Sequence, residues 1–169
     1  MRISIIGILL FIVHAMSATL FQNLRIGEIA PNFMIMIIVS FALLRGSKEG
    51  SIIGLTAGLL HDISFGMNVG PIMIIYAIIG YMCGKFNKNF YRENFIIPFI
   101  CTLCSSLFYS LAMVLGLMLR GKVHFVFFLK SIIIPEMIYT ITLSLVIYQL
   151  SYLMNEKIEA HEKKTRNIF

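Results

Sequence analysis

Six apolar runs, set apart by short clusters of charged and small residues, take up almost all of this 169-residue chain and leave little that could fold in water. Hydrophobic residues make up 59% of it and charged residues 13%, with a mean hydropathy of +0.89. A domain of this size has no interior large enough to hide so much apolar surface. The runs cover about residues 3–21, 30–44, 50–63, 69–84, 95–119 and 125–153, with a polar tail over 155–169. The third and fourth are short and joined through Ser64, Gly66 and Asn68, the pattern of a helical hairpin. Pro31 suits a first helical turn, where its missing N–H costs nothing. Pro135 lies inside the last run, where a kink is expected. No stretch alternates apolar and polar residues over the length of a barrel strand. The expected fold class is therefore an all-α integral membrane protein with six transmembrane helices in a single domain.

The basic residues set the orientation, because cytoplasmic loops hold lysine and arginine in excess. Six spans put both termini on one side. That side collects Arg2, Arg45, Lys48, Lys85, Lys88, Arg92, Lys157, Lys163, Lys164 and Arg166, ten of the fourteen. Arg25, Arg120, Lys122 and Lys130 fall on the other. Both termini are expected in the cytoplasm, and the net charge of +6 calls for no nucleic acid.

Several sharper readings fail on their residues. Arg2, the run from Ile3 to Val13 and the small residues Ala15, Ser17 and Ala18 imitate a secretory leader, but the apolar character continues through Leu20 and Phe21. Cys101 and Cys104 form a CxxC inside the fifth run with no second pair or nearby histidine, so they and Cys83 read as packing residues. His161-Glu162 opens a zinc-protease pattern that Thr165 ends. No phosphate-cradling loop, nucleophile turn or Asp-rich magnesium motif is present. The expectation is a protein without catalytic residues, metal or cofactor.

Gly50, Gly54 and Gly58 recur every fourth residue and Asp62 follows at the same interval, one slowly drifting stripe on a helix. A face stripped of side chains lets another helix approach closely in lipid. That helix belongs either to a partner subunit or, more plainly, to the same bundle. Asp62 would cost roughly 2.5–3.5 kcal/mol at the centre of a span and less near its end. It either caps the following turn beside His61, Ser64 and Asn68 or pairs with Lys130, which this topology places at the same outer end. Glu136 lies deeper, directly after Pro135, and must be protonated, paired or facing a cavity. His14, midway along the first run, is a possible partner for it. In the tail, Glu159 and Lys163 make a favourable i,i+4 pair, so the tail reads as a helical extension of the last span, its basic end within reach of anionic membrane lipids.

The order Pro31-Asn32, Leu44-Arg45-Gly46, Gly50-x-x-x-Gly54-x-x-x-Gly58-Leu59-Leu60-His61-Asp62, Gly70, Tyr76 and Gly80-Tyr81 resembles the bacterial rod shape-determining protein family MreD. The likeness covers the whole chain in span layout, with its specific motif at about residues 31–85. Asn32 departs from it, since an acidic residue after the proline is usual there, so no charge is required at this position. The resemblance implies a cytoplasmic-membrane scaffold of cell elongation that associates with the bitopic protein MreC. It also implies a complex with MreB filaments and peptidoglycan synthases, and a fold similar to the substrate-binding subunits of energy-coupling-factor transporters. A vitamin-binding subunit of such a transporter is accordingly the alternative function. An orphan channel or secondary transporter would need a repeated half or a row of pore-lining charges.

Overall fold

The computed structural model describes residues 2–19, 31–65, 70–89, 96–119 and 133–166, and among these residues it holds helices and no strands. The α-helices are α1 (Arg2–Thr19), α2 (Phe33–Arg45), α3 (Ser47–Phe65), α4 (Pro71–Lys85), α5 (Ile96–Leu119) and α6 (Ile134–Arg166). A single 3-10 turn, Phe86–Asn89, follows α4.

The bundle is built around α2. Every residue from Phe33 to Leu44 is buried, with α1, α3, α4, α5 and α6 all packed against it. A helix that is apolar all round has no polar face to offer water or a headgroup layer, so enclosure on every side suits it. Its one interior hydroxyl, Ser40, donates back to the Met36 carbonyl at 2.7 Å and so adds no unmet polar group to the core. Ile35, Ile38, Phe41 and Leu43 pack there with Leu10 of α1, Ala57 of α3, Tyr76 of α4 and Tyr109 of α5.

Two helices, over Ile96–Gly116 and Ile134–Ile158, are long and apolar enough to cross a membrane on their own. The other apolar helices are shorter: α2 has 13 residues and α4 has 15. At 1.5 Å per residue they reach about 20 and 22 Å, against a hydrocarbon core of about 30 Å.

Residues 45–49, expected as a polar break, are almost wholly helical. Only Gly46 interrupts the chain, with φ 93° and ψ 178°, a conformation that side chains disfavour. The Gly46 N–H closes α2 on the Ala42 carbonyl at 2.8 Å, and the Gly50 N–H returns to the Gly46 carbonyl at 2.9 Å. Ser47, Lys48 and Glu49 then form the first turn of α3, where an acidic side chain favours the helix dipole. At the other end of α2, Pro31 stands outside the helix and not in its first turn. Asn32 is the cap, its side-chain oxygen accepting from the Ile35 N–H at 3.2 Å. Asparagine caps a helix as well as aspartate does.

Pro135 stands near the start of α6 as described; residues 125–132 of the expected sixth run, with the carbonyl that a kink at Pro135 would free, lie outside the described residues. From there α6 runs unbroken for 33 residues, about 50 Å. The side chains of the expected Glu159–Lys163 pair lie outside the described residues.

Candidate functional site

The closest helix pair is α3 with α4, and glycine makes it possible. A Cβ placed on Gly54 would run into the carbonyl of Tyr76, one on Gly58 into the backbone of Met73, and one on Gly50 would sit 2.6 Å from the Gly80 oxygen. Gly80 and Gly84 answer from α4, meeting Gly50 and Ser47 in the same way. Two small-residue stripes thus lock backbone to backbone. The stripe on Gly50, Gly54 and Gly58 is occupied by the chain's own α4.

This lock sets the register that brings Asp62 over the start of α4. The helix begins at Gly70, which has no side chain to cap it, and continues with Pro71, which has no N–H. Asp62 supplies the missing acceptor from the neighbouring helix: its Oδ2 receives the Gly70 N–H at 2.8 Å and the Met73 N–H at 3.2 Å. Only 4% of Asp62 is exposed. A carboxylate is tolerated there because two orphan donors and the positive end of a helix face it.

Other polar side chains gather at the same end of the bundle. The Asn32 N–H donates to Thr140 Oγ1 of α6 at 3.1 Å, and its side-chain amide lies 3.4 Å from the hydroxyl of the fully buried Tyr76. The Tyr76 ring stands 5.4 Å from that of Tyr109 on α5 and 6.1 Å from that of His61 on α3. His61 in turn meets His14 of α1 edge-on at 6.2 Å, and His14 Nε2 is 2.7 Å from Ser64 Oγ. Glu136 stands one turn before Thr140 on α6. All six helices contribute to this cluster, and its hydrogen bonds join α2 to α4 and α6, α3 to α4, and α1 to α3.

A second polar junction holds the opposite end. Arg45, whose side chain is 5% exposed, donates from Nε to Asn155 Oδ1 of α6 at 2.7 Å and approaches Glu49 at 3.3 Å. Asn87 reaches back to the Leu43 carbonyl, using an acceptor that the end of α2 leaves open. Arg45→Ala removes both charge-assisted contacts and leaves Asn155 buried without its guanidinium partner. It is expected to lower stability by about 2–3 kcal/mol, with enhanced hydrogen exchange in α6 around Asn155 as the diagnostic readout.

The expected site residues are therefore distributed as follows. Asp62 caps the start of α4 and His14 is engaged by Ser64 and His61 at the same end of the bundle, while Glu136 lies one turn before Thr140 on α6. Lys130, the alternative partner for Asp62, lies outside the described residues. Cys101 and Cys83 are buried and Cys104 is exposed, all three as free thiols. Among the described residues no group of three or more His, Cys, Asp or Glu side chains could hold a metal ion. Tyr109, Thr140 and the Arg45–Asn155 contact escape sequence reasoning because each depends on which helices touch, and Tyr76 entered it only as part of the family motif. Gly80 and Gly84 left a signal, the same four-residue spacing as the stripe they meet.

A family model described as rod shape-determining protein MreD matches residues 2–158. No curated protein and no solved structure matches the chain.

Proposed function

The chain belongs to the MreD family of rod shape-determining proteins, and from that premise we propose that it is a non-catalytic scaffold of bacterial cell elongation, embedded in the cytoplasmic membrane by six spans with both termini inside. In this role it associates with an MreC-like bitopic protein and through it with MreB and the peptidoglycan synthases, supporting lateral wall growth. The observation that carries the scaffold reading is the way the buried polar groups are used. Asn32, Asp62, His14 and Arg45 each bond across to another helix, so they tie the bundle together. A rigid body with fixed faces is what a scaffold needs from its polar core.

Six spans remain compatible with short helices because α2 is enclosed and α4 is covered along the face it turns to α3. A bilayer thins locally around such elements at a cost of fractions of a kcal/mol per Å. The sorting of ten basic residues to one side supports the orientation.

One observation favours a second reading. The gathering of His14, His61, Asn32 and Tyr76 at the outer end is the kind of convergence a small-molecule site uses. Under it, the fold would serve as the substrate-binding subunit of an energy-coupling-factor vitamin transporter.

Mild detergent extraction of the tagged protein after cross-linking in its native membrane, with mass spectrometry of all that accompanies it, separates the two. Recovery of an MreC-like protein and wall synthases is the expected outcome. Recovery of an ATPase module with a bound vitamin would overturn the scaffold reading.

A further inference from the structure

We infer that the outer face of α6 is a self-association surface, on which a second copy of the chain docks in parallel with Gln149 against Gln149. Gln149 stands within the apolar stretch Ile134–Ile158, about 22 Å along the helix from one end and about 14 Å from the other. At that depth lipid offers an amide nothing to bond. Yet the side chain is exposed, and among the described residues it has no hydrogen-bond partner. Its polar neighbours are placed differently. Ser144, Ser151 and Asn155 are buried on the side that α6 turns to α2 and α5. Thr142, exposed like Gln149, donates back to the Ile138 carbonyl at 2.8 Å. Gln149 is left with two donors and an acceptor facing hydrocarbon.

Symmetry and chemistry select the occupant. Thr142, Val146, Gln149 and Leu153, spaced four, three and four apart and all exposed, form the straight seam along which two helices pack side by side. Only 22% of the apolar stretch of α6 is buried within the chain, against 39% for that of α5, so this helix has a face to spare. A primary amide is its own complement, since the carbonyl of each accepts an N–H of the other. Copies of one chain enter the bilayer in the same orientation, so a two-fold axis along the membrane normal sets two α6 helices parallel. It brings each seam residue to the depth of its own counterpart. The two Gln149 amides then meet without further coincidence, whereas a different helix would have to carry a hydrogen-bonding side chain to that depth and face. A single polar residue in an apolar seam also fixes the register, because sliding by one turn separates the pair. The inference rests on α6 crossing the membrane, as in the function proposed above, and not on which of its ends faces the cytoplasm.

The test reconstitutes the purified full chain in lipid vesicles at falling protein-to-lipid ratio, with donor or acceptor dye on the exposed Cys104. Energy transfer is expected to report a dimer. Gln149→Leu, which removes the amide and keeps the bulk, should weaken it about ten-fold, equivalent to about 1.4 kcal/mol and within the range of interhelical hydrogen bonds in membranes. Gln149→Asn keeps an amide on the seam and should retain most of the association. Neither substitution removes a hydrogen bond within the chain, so the monomer is expected to stay folded. In native membranes, in a Cys104→Ser background, Val146→Cys, Gln149→Cys and Leu153→Cys should each give disulfide-linked dimers on oxidation with copper phenanthroline. Met154→Cys, about 140° around the helix from Gln149, should not. A chain that is monomeric at every dilution, or a dimer indifferent to Gln149→Leu, would overturn the proposal. So would a cross-link from position 149 to a different protein, which would give the seam to that partner. Alkaline carbonate extraction fails separately: release of the chain would reject the membrane span, whereas a chain retained in the membrane but monomeric rejects only the dimer.

Discussion

Gly54→Ala is expected to destabilise the protein by about 3 kcal/mol or more, and to abolish its support of rod shape in cells that depend on it. The sign is not that of an ordinary glycine replacement. In an open stretch of helix alanine is better than glycine by about 1 kcal/mol. At Gly54, however, the added methyl meets the Tyr76 carbonyl and the Cα of Ala77, backbone atoms that cannot rotate away. Relief would require α4 to back off along its whole length, breaking the Gly50–Gly80 and Gly84–Ser47 approaches together. Gly116→Ala serves as the control, because a Cβ there meets nothing within 4 Å. Unfolding in mixed micelles should separate the two variants clearly. Equal stabilities would mean that α3 and α4 are not in contact through glycine.

The second large effect is expected at Asp62. Asp62→Ala leaves the Gly70 and Met73 N–H groups without their acceptor, in a place where water replaces it poorly, and an unmet buried donor costs about 1–3 kcal/mol. A total loss of about 3 kcal/mol is expected, accompanied by faster amide exchange through the first turn of α4. Asp62→Asn keeps one oxygen in position and should lose about a third of that. The contrast distinguishes a cap from an ion pair. If the carboxylate served chiefly to neutralise Lys130, asparagine would be as damaging as alanine, and exchanging the two charges would restore stability. The exchange is expected to fail, since a lysine at position 62 has no oxygen to offer the α4 amides.

The helices themselves were legible in the sequence, because a segment of ten or more apolar residues between charge clusters has few other options. The runs expected over 50–63, 69–84 and 95–119 correspond to α3, α4 and α5 within a few residues at each end. What composition misjudged was the meaning of polar residues at helix ends. Arg45 through Glu49 looked like a loop, yet a helix accepts Ser47, Lys48 and Glu49 in its first turn as readily as a loop does, so only Gly46 breaks the chain. The stripe of Gly50, Gly54 and Gly58 announced a close approach without naming the helix that makes it. Its counterpart at Gly80 and Gly84 was half hidden among apolar residues. The polar cluster was legible residue by residue and not as a cluster. His14, Asn32 and Asp62 each advertise an unmet need in an apolar run, but the partners they find on other helices are a property of how six helices cross.

The enclosure of α2 bears on the order in which the protein is made. Four of the five helices that cover it are encoded downstream, so a nascent chain carries α2 into the membrane before its jacket exists. The side-chain oxygen that meets Arg45 Nε arrives last, 110 residues later, on Asn155. Until that residue leaves the ribosome, a buried guanidinium has only Glu49 one turn away. A chain cut short before α6 therefore exposes its most enclosed helix on one flank and leaves Arg45 without its Asn155 contact. Both defects close in one event, the docking of α6.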